Sequence, residues 1–268
     1  MKFKRYLLTA FALALALVYL IPLIWMTLAS FQSEKDILAS KWIPSKWFVE
    51  NYKIILQRAK LRTWFVNSLI SATGATVGIL LVCIPAAYAV SRMEFPGRKI
   101  LYLLSLTGFM IPTQAIAIPL YLLVRKFGLV NNLLGIIIPA LPSSMAVFIL
   151  SQFMKAIPLD YEEAARLDGA SELDVMLKVI LPMSLPAVVT VTVLHFTWTW
   201  NDFFWPLIVM TSDKMYTLPV GLVALAASDV NIRYGPIMAA NVLASLPVIA
   251  VYIFLQRYLT RGVVLSLR

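Results

Sequence analysis

The sequence predicts an all-α integral membrane protein with six transmembrane helices, and three observations carry that prediction. The 268 residues are 61% apolar and 13% charged, with a mean hydropathy of +0.84, a balance outside that of soluble domains. Six stretches lack Asp, Glu, Lys and Arg: 6–33, 63–91, 100–124, 127–154, 179–201 and 234–256. Each exceeds the roughly 20 residues that a helix needs to cross about 30 Å of hydrocarbon. Within them the apolar residues run on continuously, whereas barrel strands would alternate apolar and polar.

The charge pattern removes other classes. A net charge of +10 would suit nucleic acid only if it were clustered, and here the charges punctuate apolar runs, so no nucleic-acid partner is expected. Anionic headgroups of a lipid bilayer are the expected counterpart. Cys83 is the single cysteine and His195 the single histidine, which leaves no disulfide framework and no cysteine or imidazole cluster for a metal.

The first stretch follows Lys2, Lys4 and Arg5. Its apolar length is about twice the roughly 7–15 residues of a signal h-region, so it reads as an uncleaved anchor. It is followed by a long, charged segment, predicted to be external, and the chain divides into 1–62 and 63–268. Gly74 and Gly78 in the second stretch form a GxxxG pair, predicting a close helix contact. Prolines inside the apolar runs, among them Pro22, Pro85, Pro112, Pro139, Pro142, Pro186 and Pro247, predict kinks. Basic residues split almost evenly between the two sides. The short loop from Arg92 to Lys99 and the basic N-terminus favour a cytoplasmic N-terminus, because short loops weigh most in the positive-inside rule.

Between the fourth and fifth stretches lies QFMKAIPLDYEEAARLDGASELDVMLKVILP, residues 152–182, which reads as two short helices. Pro158 blocks continuation of the fourth span. Asp160 is expected to cap a new helix, with Glu163 completing a capping box, and Gly169 to end it. Ser171 with Asp174 offers a second cap, and Pro182 closes the segment before the fifth span. Ala164 and Ala165, bracketed by charge, leave a smooth patch for another protein. An amphipathic connector lying on lipid is the alternative, but such a helix should be rich in Lys and Arg, and this one is acidic.

Here the chain resembles a known family. Glu163, Ala164 and Ala165, then Gly169, then Val179, Ile180, Leu181 and Pro182 are similar to the EAA signature, EAA-x3-G-x9-I-x-L-P, of permease subunits in ABC importers, with Val179 in place of Ile. The words IPLYLLVRKFGLVNN (118–132), DGAS (168–171), TWNDFFWPLIV (199–209), YTLPVGL (216–222) and LQRYLTRG (255–262) narrow the resemblance to the second permease of maltose-type importers, which carry di- and oligosaccharides, other sugars and glycerol phosphates.

The resemblance implies a type I ABC importer permease fold in a bacterial or archaeal cytoplasmic (inner) membrane, with both termini cytoplasmic. It implies a second homologous permease subunit, two ATP-binding subunits, an external solute-binding protein and a sugar substrate. Residues 63–268 would form the permease core, and about 153–182 would form the coupling loop seated on the ATPase. The matched positions Glu163, Ala164, Ala165, Asp168, Gly169, Leu181 and Pro182 would carry ATPase coupling. Glu163 would face a basic residue of the motor, and Gly169 would allow the turn.

The chain itself is not expected to be an enzyme. None of its ten glycines is followed by Lys, so no Walker A loop is present and ATP and Mg are expected on partner subunits. No GxSxG or Ser/His/Asp arrangement accompanies His195. On a helix, His195, Trp198, Asn201, Asp202 and Trp205 fall within about a third of the circumference. Such a stripe could line a substrate path, with rings stacking on a pyranose and polar groups meeting its hydroxyls. Alternatively, Trp200 and Trp205 belong to an interfacial belt and Asp202 to a structural pair. Asn241 with Ser245, and Ser143 with Ser144, are further pathway candidates. A proton-coupled secondary transporter using His195 and Asp202 is the competing class; it leaves the EAA segment unexplained and lacks the internal repeat such proteins often show.

Overall fold

The computed structural model describes residues 2–57, 59–228 and 234–265. Side chains from Tyr258 onward in the LQRYLTRG word, and those of Lys2 and Arg5, lie outside the described residues. Among the described residues every regular element is helical: α1 Lys2–Ala29, α2 Glu34–Leu38, α3 Glu50–Gln57, α4 Ala59–Arg92, α5 Arg98–Thr107, α6 Ala117–Lys126, α7 Leu134–Ala140, α8 Ser144–Lys155 and α9 Asp160–Leu167. Then come α10 Glu172–Met183, with a π-helical stretch at Val175–Ile180, and α11 Leu185–Asn201. Helices α12 Phe204–Val209, α13 Leu218–Ser228 and α14 Tyr234–Leu265 complete the chain.

The helical class holds, and continuity is where the structure differs. Among the described residues, three single helices are long and apolar enough to cross a membrane: Tyr6–Ala29, Lys60–Arg92 and Tyr234–Arg257. Prolines 22, 85 and 247 lie inside them. The expected third span, 100–124, is instead α5, a tight turn at Gly108–Met110 and α6. Pro112 accounts for the break: it offers no N–H and pushes the residue before it out of the helical region, and Ile111 is extended at φ −100, ψ 108. The fourth stretch is α7 and α8, bent by 44° across Leu141, Pro142 and Ser143. Ser143 restarts the helix by accepting from Ala146 N–H. The fifth was expected to start at 179, but α10 already carries those residues and α11 turns from it by 76° at Ser184, just before Pro186.

The chain forms two compact units, Met1–Thr63 with Gly221–Leu246, and Trp64–Val220 with Pro247–Arg268. In the first, the segment after α1 is folded rather than loose. Asn51 donates from Nδ2 to the carbonyls of Ser30 at 3.0 Å and Gln32 at 2.9 Å, Ser30 and Tyr52 share a hydroxyl bond at 2.8 Å, and Phe31 packs on Trp47 and Tyr52. Lys41 and Ser45 bond Asp36 and hold its carboxyl down at about 2, so this clasp stays charged at ordinary pH.

In the second unit the core joins α4, α8, α10 and α11, through Ile79, Cys83, Leu150, Met154, Ile180 and Val191 among others. The GxxxG pair meets α7: a Cβ on Gly74 would sit 2.8 Å from Ile137, and one on Gly78 would collide with Leu141. Gly74 and Gly78 are thus the close contact the sequence predicts. Trp64, Asn67 and Ser68 on α4 bond the backbone of Asp213, Lys214, Tyr216 and Leu218, which fastens the YTLPVGL segment. Asn131, at φ 58, accepts from the N–H groups of Thr211 and Ser212 and so ties the 118–132 segment to the chain after α12.

Candidate functional site: the α9–α10 loop and the α11 cavity

The loop after α8 forms the two helices expected, with one correction. Helix α9 starts at Asp160, but its cap position is Leu159 in helical conformation without a side-chain bond. Asp160 and Glu163 therefore do not form a capping box. They serve instead, with Glu162, as first-turn acids that suit the positive end of the helix. The second cap is as expected: Ser171 and Asp174 make a reciprocal capping box at the start of α10. Gly169 sits just past α9 at φ +84, a left-handed conformation that favours glycine and turns the chain between the helices.

Two adjacent acids in the first turn of α9 have opposite fates. Glu163 is exposed, together with Ala164, Asp168 and Gly169. Glu162 is buried, 1% exposed, between Arg92 at 3.1 Å and Arg166 at 3.0 Å. Its contact with Arg92 is electrostatic, since the Nε–H is not aimed at the oxygen. The smooth alanine patch expected on the surface is halved: Ala165 is half-buried and packs on the unit's own core, while Ala164 faces out. Leu181 is half-buried and Pro182 exposed at the end of α10. Large apolar side chains nonetheless surround the exposed acids, with Leu159 56%, Tyr161 52% and Leu167 89% exposed. Glu172 raises the Arg166 pKa by accepting its hydrogen bond, so Arg166 is a permanent cation.

The second candidate region is a cavity of about 860 Å³ beside α11. Helix α11 ends at Asn201 and Asp202 is extended, at ψ 124, so the expected stripe does not continue on one helix to Trp205. The cavity collects its members all the same. His195, Trp198, Asn201, Asp202 and Trp205 all line it, with Ser143, Ser144, Phe109 and Gln114. Their freedom to meet a ligand differs. Trp198 is 49% exposed and stands edge-on to His195 at 5.2 Å. Trp205 is buried, and its indole N–H is committed to Gly135 O at 2.9 Å. His195 Nε2 shares a 2.9 Å bond with Ser143, and Asp202 accepts from the Trp205 N–H at 3.4 Å. Histidine and aspartate thus each hold a different partner. Trp200, read as a possible belt residue, is 2% exposed and stacks on Phe196, so it is core. Asn241 and Ser245 are half-buried on α14, in the other unit.

The sequence reading missed Arg92, Glu162 and the cavity residues Phe109 and Gln114. A signal for the first two existed: an acid four residues before Arg166, and a lone arginine closing a long apolar run. Phe109 and Gln114 lie in the interruption of the third stretch, between α5 and α6.

Comparison with known proteins identifies the architecture. The family model described as "binding-protein-dependent transport system inner membrane component" matches residues 63–265. The chain belongs to that family. It is a membrane-embedded transport permease. It is 34% identical to the diacetylchitobiose uptake system permease protein of Streptomyces coelicolor, over 92% of this chain and 83% of that one. It is 32% identical to the trehalose/maltose transport system permease protein of Thermococcus litoralis, over 97% and 95%. The fold superposes with a TM-score of 0.85 at 26% identity, over 94% and 95% of the two chains, on a chain from a bacterial ABC transporter involved in the import of the acidic polysaccharide alginate. A chain of the alginate transporter in complex with its pentasaccharide-bound periplasmic protein matches at TM-score 0.68 and 14% identity.

Proposed function

We propose that this chain is a permease subunit of an ATP-driven importer of sugars, di- or oligosaccharides or related polyols, in the cytoplasmic membrane with both termini cytoplasmic. It forms half of the path with a second homologous permease, receives substrate from an external solute-binding protein, and is driven by two ATP-binding subunits that hold ATP and Mg. The observation that carries the reading is the α9–α10 loop: a glycine-turned helix pair braced on the core, exposing Glu163 beside apolar Leu167 and Tyr161. Exposed apolar side chains around an acid suit a basic protein cleft better than water or anionic lipid. Glu163, Ala164, Asp168 and Gly169 form the docking face; Ala165 seats it on the core, and Leu181 and Pro182 close α10 behind it.

In the cavity, Trp198 offers a flat ring, and Asn201 and Asp202 offer acceptors, to a sugar in transit. His195 and Trp205 hold its wall. The deciding experiment is uptake by proteoliposomes containing both permeases, the ATPase subunits and the binding protein. Uptake requiring ATP and indifferent to a proton gradient is expected; uptake driven by the gradient without ATP would overturn the reading. In the same assay Trp198→Ala is expected to raise the half-saturating sugar concentration by about 3- to 10-fold, the worth of one ring contact. Unchanged kinetics would remove Trp198 from the path.

A further inference from the structure

Two side chains one turn apart at the end of α4, Tyr88 and Arg92, reach both helices of the loop. Arg92 Nε lies 3.1 Å from Glu162 Oε1 on α9. Glu162 Oε2 accepts from Arg166 Nη2 at 3.0 Å. Arg166 Nε donates to Glu172 Oε1 at 2.9 Å, across the turn on α10. Glu172 Oε2 accepts from the Tyr88 hydroxyl at 2.8 Å, which returns the chain of contacts to α4. Two cations and two anions close a ring of balanced charge. Arg92 extends it through Nη2 to the carbonyls of Met154 and Ile157 at the end of α8.

A glycine at φ +84 is where a helix pair would be expected to flex. The ring spans that point, with Glu162 and Arg166 before Gly169 and Glu172 after it. One fastening would leave the loop free to pivot; anchors on both helices remove the pivot. We propose that this ring is a brace that locks the α9–α10 turn and fixes it to α4, so that a displacement applied at α9 reaches the span instead of being absorbed at Gly169. Tyr88, Arg92, Glu162, Arg166 and Glu172 are then positioning residues for coupling, and the inference rests on the reading that α9 docks on the motor. Packed side chains joined by hydrogen bonds and ion pairs are one physical carrier of coupling between distant sites.

The test uses the complete importer in proteoliposomes and reads ATP hydrolysed per sugar imported, a ratio that a merely structural role would leave unchanged. Arg166→Gln, Glu172→Gln and Tyr88→Phe are expected to raise the ratio by about 5-fold or more, the lower end of ordinary coupling factors, with the ATPase subunits still retained. Arg166→Lys should recover part of the loss. An unchanged ratio, or transport and hydrolysis falling in parallel, overturns the brace. Should Arg166→Gln fail to reach the membrane, Glu172→Gln at a half-exposed position and Tyr88→Phe, which removes only the hydroxyl of a buried ring, decide it. Failure of the underlying reading is separately visible: Leu167→Cys in the otherwise unaltered importer would then give no cross-link to the ATPase, the native Cys83 being buried.

Discussion

Replacing Arg92 by methionine is expected to cost the folded subunit about 3–5 kcal/mol, the range for removing one partner of a buried ion pair. The Arg92 and Glu162 side chains are 3% and 1% exposed. Loss of the guanidinium leaves Glu162 with Arg166 alone, itself partly in solvent and screened, and strips the end of α8 of its donor to Met154 and Ile157. Carbonyls at a helix C-terminus welcome a cation there. Arg92→Lys keeps the charge but offers a compact ammonium in place of a planar fork that bonds two carbonyls beside the carboxylate, and should fall between the native subunit and Arg92→Met. Thermal or denaturant unfolding in detergent micelles checks this. The double variant Arg92→Met with Glu162→Gln should lose less than the sum of the single losses, because the second change removes the stranded charge. Additive losses would show that the two residues do not act as a pair.

What the sequence made legible follows from physics that is local. Apolar length placed the long helices, because a span must satisfy its own backbone. The glycine turn at Gly169 and the cap at Ser171 were readable because each rests on residues within one turn. Continuity failed where proline and tertiary packing combine. Pro112 could have lain inside a continuous helix, as Pro22 and Pro85 do, and composition alone does not distinguish the proline that a helix carries from the one at which it breaks. The pairing of Glu162 with Arg92 joins positions 70 residues apart, and no spacing rule distinguishes the buried acid from its exposed neighbour Glu163. The cavity shows the same division. Helical periodicity grouped His195 with Trp198, but Trp205 joins them through α12 and its bond to Gly135, a contact that periodicity cannot foresee.

Charge reversal at Glu163 is expected to have the largest effect on function with the smallest effect on the fold. Glu163 is exposed on α9, where a surface substitution shifts stability by about 0.5 kcal/mol or less, with a few tenths more from placing a cation in the first turn of a helix. At an interface the arithmetic differs, because like charges set together cost several kcal/mol and each 1.4 kcal/mol is about tenfold in affinity. Glu163→Arg should therefore reach the membrane at normal levels, keep its unfolding midpoint, and retain the ATPase subunits about 100-fold less well on co-purification. Glu163→Gln, which removes the attraction without adding repulsion, should lose less. The contrast with Arg92→Met separates the two acids of the loop: one change weakens the subunit itself, the other only its hold on the motor. If Glu163→Arg instead co-purified with a full complement of ATPase and supported normal ATP-linked uptake, α9 would be a connector between spans, and the acidic face with its exposed leucine would need another partner.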